Sequence, residues 1–194
     1  MDITKELPKK IEHKGKVYKL DMSFDNILNV FEMFKGDFLL ENEKILLAVN
    51  MIVTNKNIQY DHELIKKIFD LFSFEKNRAQ NTSTKCVDFI QDSAYIYSSF
   101  MMDYNINLFE CEGKMHWWEF TALFKGLSKK TKIREIMEIR QRPIPERNKH
   151  NSNEISNLLE LKNYYKLEVS QSEKEKNFQK SLANLAGILK EKVR

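Results

Sequence analysis

Hydrophobic residues along this chain recur at two spacings, and the switch between them marks the elements. In KKIEHKGKVYKLD, residues 9 to 21, Ile11 precedes a polar Lys14-Gly15 turn, and Val17 and Leu20 flank Tyr18. Apolar positions on either side of a glycine turn predict a β-hairpin. A lone hairpin is marginal, so it must rest on a larger body. From Phe24 onward the spacing lengthens to three and four. Phe24, Ile27, Leu28, Phe31 and Phe34 predict a first helix, capped by Ser23 and ended by Gly36. Ile45, Leu46, Val49, Ile52 and Val53 are the inward face of a second. Leu64, Ile68, Leu71 and Phe72 are the stripe of a third, with Asp61 as its cap. Residues 75–85 carry Ala79 as their one apolar side chain and read as a loop. A core helix then covers 86–104. Phe89, Ile90, Ala94, Tyr97, Met101 and Tyr104 share one face, and Ile96 and Phe100 widen it.

The stretch EGKMHWWEFTALFKGLS, residues 112–128, holds both tryptophans. Trp117, Phe120, Phe124 and Leu127 fall on one helical face, which is the signature of a core stripe. Trp118 stands beside that face and is a candidate interface anchor. A short helix follows over 132–139. Pro143 and Pro145 then forbid a helix and push their predecessors towards extended backbone, so 141–151 reads as a basic linker. Helical signals resume to the end. Ser152, Ile155, Leu158, Leu159 and Tyr165 form one set, and Phe178, Leu182, Leu185, Ala186, Leu189 and Val193 another. The expected architecture is mainly α: a helical core domain over 1–140 with an N-terminal hairpin, a linker over 141–151, and a helical C-terminal extension over 152–194.

Composition agrees with that class. Five glycines and three prolines in 194 residues are too few for a turn-rich sheet fold. The net charge of +4 is a weak signal by itself, but nine Lys or Arg against three Glu lie between Lys125 and Lys149. Such a strip suits a solvated face, an acidic partner or a phosphate backbone. Cys86 and Cys111 give no disulfide framework and no metal spacing. MDITKELPKK lacks an apolar signal core, and no run approaches 18 apolar residues, so a cytoplasmic protein is expected.

Candidate chemistry is sparse. The four histidines, His13, His62, His116 and His150, sit in no metal motif, and HWWEF is not H-E-x-x-H. No serine resembles a nucleophile elbow. No glycine spacing matches a phosphate-binding loop. Carboxylates are scattered over helix faces, so no pair is nominated for acid–base work. Each histidine is expected to be a cap, a surface residue or a core hydrogen-bonder. No catalytic, metal or cofactor residue is nominated.

In chain order, ELP near the start, GKVYKLDMSFDNILNVFE, DFIQDSAYIYSSFMMDYNINLFE, GKMHWWEFTALFKGLS, IREIMEIRQRPIP and LLELKNYY resemble the bacteriophage gene-product-fifteen family of long-tailed phages and prophages of Gram-positive bacteria. The resemblance spans roughly residues 5 to 166. It implies a tail assembly chaperone and not an enzyme. Such a protein would coat the tape-measure protein, help recruit the major tail-tube protein, and work with a short upstream chaperone partner. It would act in the host cytoplasm, assemble in complexes, with self-association open, and be absent from the mature virion. It implies no cofactor and no membrane. Partner contacts are expected at Trp118, at the basic strip around Arg140, Arg142 and Arg147, and at the stripe of Phe178, Leu182, Leu185 and Leu189. A tail folded back on its own domain is the competing expectation for that stripe. The alternative function is a nucleic-acid-binding or regulatory phage protein that uses the 125–149 strip.

Overall fold

The hairpin forms where the turn chemistry places it. Strand β1 (Lys10–His13) pairs antiparallel with β2 (Lys16–Lys19), Ile11 opposite Tyr18 and His13 opposite Lys16. Lys14 (φ 48°) and Gly15 (φ 72°) are both left-handed, the geometry that two-residue hairpin loops of matching twist require. The computed structural model describes residues 2–36, 38–55, 60–71 and 86–168. The expected loop at 75–85, Phe72 and the 178–193 stripe lie outside the described residues. Among these the chain is mainly helical, with seven α-helices and the one hairpin.

The strands lead directly into the helical core. Leu20 bridges to Val53, and Asp21 N–H donates to the Ile52 carbonyl at 2.7 Å. This joins the hairpin to the end of α2 (Glu41–Ile52), which lies against α1 (Phe24–Lys35). The residues entering α1 also pair with those entering α5 (Trp117–Gly126). Phe24 N–H donates to Met115 O at 3.0 Å, and Trp117 N–H to Met22 O at 2.7 Å. The two helices therefore start side by side, which sets Phe24 against Phe120. Ser23 occupies the N-cap position of α1, but its hydroxyl donates to Asp21 Oδ1 at 2.6 Å and not to the helix. Helix α3 (His62–Asp70) has the expected cap: Asp61 accepts from Leu64 N–H at 2.9 Å.

Three details correct the periodic reading. Helix α4 spans Ser93–Tyr104 and does not begin at 86. Asp88 Oδ1 accepts from the N–H groups of Ile90 and Gln91 at 3.0 and 3.2 Å, and Asp92 Oδ2 from Asp88 N–H at 2.9 Å. Such local side-chain bonds give the backbone an alternative to helix, so 86–92 is a turn. The buried face of α4 is Ile96, Ser99 and Phe100, while Ile90 and Ala94 are exposed and Tyr97, Met101 and Tyr104 are half-buried. In α2, Leu46 faces solvent. Lys44 is buried in its stead, its Nζ bonded to Phe34 O at 3.3 Å and Glu41 Oε1 at 3.1 Å. In α1, Val30 joins the core beside Phe24 and Ile27.

Helix α6 (Lys132–Gln141) packs on α4, where Ile133 N–H donates to the buried Ser99 Oγ at 3.3 Å. The Pro-containing segment after it returns the chain so that α7 (Ser152–Tyr164) lies on α6 with Leu158 buried. The residues that follow α7 are held at the turn before α4. Gln91 Nε2 donates to Lys166 O at 2.9 Å, and Gln91 Oε1 accepts from Glu168 N–H at 2.8 Å. Residues 152–168 thus rest on the head.

Candidate interaction surfaces

The HWWEF helix is the centre of the core. Phe120, 1% exposed, stacks with Phe24 at 4.9 Å, Phe100 at 5.3 Å and Trp117 at 5.7 Å between ring centroids. Phe31 and Phe89 meet Trp117 edge-on at 5.4 and 5.8 Å. Offset and edge-on pairs of this kind add to what burial alone contributes. Trp117 Nε1 is buried, and among the described residues no acceptor reaches it. Trp118 is half-buried. Its Nε1–H donates to Leu71 O at 2.7 Å, tying α5 to the end of α3.

Two of the histidines are buried and structural. His116 is the N-cap of α5: Nδ1 accepts from Trp118 N–H at 3.0 Å, and Nε2 lies 3.2 Å from Pro8 O, to which it donates. Burial holds the ring's pKa below its ordinary 6.5. His13 ends β1. Its Nε2 donates to Asp61 Oδ2 at 2.8 Å, and Nδ1 accepts from Lys67 Nζ at 3.4 Å. Asp61 also receives Lys14 Nζ at 2.7 Å, so one carboxylate caps α3 and fastens the hairpin to it. The hydrogen bond from Lys14, then that from His13, holds this carboxyl well below the usual carboxylate range.

The basic strip divides in two. Arg140 turns inward. Its guanidinium makes a bidentate pair with Asp92 at 2.6 and 2.8 Å, donates to Cys86 O at 3.0 Å and, through Nε, to Tyr165 O at 2.6 Å. Both side chains are almost fully buried. Four fixed donors of a planar fork are spent inside the molecule, so Arg140 is an internal clamp between α4, α6 and the end of α7. Arg142 is exposed and pairs with Glu154 at 3.0 Å, and Arg147 is exposed. Lys129, Arg134 and Arg142 line an open groove on α6 with Met137 and Glu138. Phe178, Leu182, Leu185 and Leu189 lie outside the described residues.

Sequence reasoning passed over the apolar surface. Phe38, 98% exposed, and Leu40, 73% exposed, stand between α1 and α2 with Leu39. Leu46 and Leu47 are 44% and 40% exposed on the outer face of α2. The sequence reading placed Leu46 inward and gave Phe38, Leu39, Leu40 and Leu47 no role. A second apolar site is a slot of about 130 Å³ between α1, α4 and the 3-10 turn at Leu108–Cys111. Phe24, Ile96 and Phe120 line it with Phe89 and Tyr97, and Phe109, 69% exposed, stands at its mouth. Among the described residues no group of His, Cys, Asp or Glu could hold a metal ion, and no helix is long and apolar enough to cross a membrane.

A mainly helical domain, sealed by an aromatic core and two polar latches and carrying uncovered apolar surface, is the class of protein these features define. The chain belongs to the Bacteriophage Gp15 protein family, whose sequence model matches residues 3–167. That span runs from ahead of the hairpin to just past Lys166, which Gln91 holds after α7. No curated protein and no solved structure matches the chain.

Proposed function

We propose that this chain is a phage tail assembly chaperone that binds the tape-measure protein, keeps it soluble and helps recruit tail-tube subunits. Membership of the Bacteriophage Gp15 protein family makes it a phage protein. The observation that carries the finer reading is the uncovered apolar patch of Phe38, Leu39, Leu40, Leu46 and Leu47. Large apolar side chains left exposed at the entry to α2 and on its outer face suit a contact site. An amphipathic helix laid across a leucine-lined face is a recurring mode of recognition, tolerant of sequence in its partner. Glu41 and Glu43 at the start of α2 favour a partner segment with basic flanks. Further contacts come from Arg142, Arg147 and the stripe of Phe178, Leu182, Leu185 and Leu189. In this reading the protein is not an enzyme, works in the host cytoplasm with a short upstream partner, and leaves before the virion is complete.

Co-expression with the tape-measure protein encoded beside it, followed by size-exclusion chromatography with light scattering, tests this. The expected result is a co-eluting complex, weakened by Leu46→Asp with Leu47→Asp, from a tape measure that precipitates alone. A tape measure that stays insoluble with this chain and its short upstream partner both present overturns the reading. The nucleic-acid alternative rests on the Lys129, Arg134 and Arg142 groove. It requires DNA retardation that weakens with salt.

A further inference from the structure

The apolar slot and the Pro-containing segment after α6 are a hole and a knob on the same chain. Ile144, 53% exposed, stands between Pro143 and Pro145. Each proline has a fixed φ and holds its predecessor extended, so the isoleucine is presented with little freedom left to lose on binding. The slot descends to Phe24, Ile96 and Phe120, and its volume of about 130 Å³ is on the scale of one side chain, given that a cavity of roughly 150 Å³ takes up benzene. Charge agrees as well. Glu112 lines the slot, Glu110 is exposed beside it, and Asp25 receives Gly113 N–H nearby at 2.9 Å. Lys114 Nζ is turned to the Glu110 carbonyl at 2.9 Å. Ile144 is flanked by Arg142 and Arg147, both exposed, with Glu146 between. The Arg142–Glu154 pair joins side chains that are each more than half exposed, and such pairs contribute little, so Arg142 can exchange partners.

Helix α4 separates the knob from the hole. Asp92, Tyr95 and Ser99 face α6 and the end of α7, through Arg140, Tyr165 and the Ile133 N–H. Ser93 and Tyr97 line the slot, and Tyr95 is two positions, about 200° of helix turn, from each of them. The segment that carries Ile144 starts from the clamped Arg140 and ends at α7, which lies on α6, so it is held on the α6 side. The occupant it offers is therefore for the slot of another copy.

We infer that copies of this chain associate head to tail, with Ile144 of one copy entering the slot of the next between Tyr97 and Phe109, and Arg142 and Arg147 set beside Glu112 and Glu110. A knob that meets a hole elsewhere on the surface makes a heterologous contact, which repeats into a ring or an open chain. The inference does not depend on the chaperone reading, since it uses none of the α2 leucines.

Sedimentation of the full chain between about 1 μM and about 500 μM tests this, a range that brackets the micromolar affinities of small interfaces. The mass is expected to climb past the dimer with concentration and to fall back in high salt. Ile144→Asp spoils the knob, and Ser93→Trp plugs the slot from its exposed rim. Both positions are exposed, so each variant is expected to keep the thermal midpoint of the unsubstituted chain. Each alone is expected to weaken association roughly tenfold or more. Mixed, the two variants keep one good knob and one good slot between them, and are expected to form a one-to-one heterodimer that grows no further. A chain that stays monomeric throughout, variants that assemble like the unsubstituted chain, or a mixture that does not pair overturns the proposal. A mass that stops at a dimer means a reciprocal two-fold contact and overturns the head-to-tail arrangement too. Co-elution with the tape measure is read separately, so either proposal can fail alone.

Discussion

Two polar latches close this domain, and they are built from different chemistry. At the N-terminal end His13, Lys14 and Asp61 fasten the hairpin to α3, and His116 fastens the segment at Pro8 to α5. At the other end Arg140 and Asp92 clamp α4, α6 and the residues after α7. The first latch is partly open to solvent and depends on imidazole rings. The second is buried, bidentate and made by the planar fork of a guanidinium. Acid should therefore loosen the His116 contact, where the ring must stay neutral to cap α5.

The sharpest way to break the comparison is to remove the buried clamp. Arg140→Ala strands the Asp92 carboxylate in the interior and is expected to cost about 3–5 kcal/mol, read as a drop in the denaturation midpoint with exchange protection lost first in α7. Asp61→Ala acts on the exposed latch. It removes the N-cap of α3 and leaves the buried His13 Nε2 without its acceptor. Its loss in chemical denaturation should be clearly smaller than that of Arg140→Ala. An equal loss would falsify the division into a strong and a weak latch.

The pH dependence follows from the two lowered pKa values. His116 is held neutral by burial, so its contribution to stability is complete above the ordinary value of 6.5. It declines as pH falls below that value, because protonated Nδ1 cannot accept from Trp118 N–H. Asp61 behaves likewise lower down: its contribution is whole above the ordinary 3.8 and is lost on further acidification. The midpoint of thermal unfolding should fall between about pH 7.5 and about pH 5.5, and fall less in His116→Asn, whose side chain can cap without titrating. The smallest effect belongs to Lys14→Ala, whose exposed ion pair contributes little. A larger loss on its denaturation curve would mean that the hairpin latch is stronger than its exposure implies.

How much of this was legible in the sequence depended on range. The hairpin turn, the Asp61 cap and the Trp117–Phe120–Phe124 stripe follow from local spacing and local chemistry, and the structure keeps them. The start of α4 was missed because Asp88 and Asp92 compete for backbone N–H groups that periodicity ignores. Arg140 read as part of a basic face because the carboxylate that claims it stands 48 positions upstream. His116 as a cap was accessible only as a general expectation, since imidazole is an uncommon choice for that place. Leu46 of α2 was misplaced because amphipathic reasoning counts apolar residues as core, and Lys44 takes the buried place in its stead.

The placement of the two tryptophans has a practical consequence. Their indoles are consecutive in sequence yet sit in unlike surroundings: Trp117 is stacked among phenylalanines with no acceptor among the described residues, and Trp118 is half-buried with its N–H on the Leu71 carbonyl. The domain thus carries two intrinsic fluorophores of different colour on one helix. Changing either one to phenylalanine leaves a single emitter, tuned to the aromatic interior or to the joint with α3. Unfolding and partner arrival could then be followed by light from the protein itself, without a label.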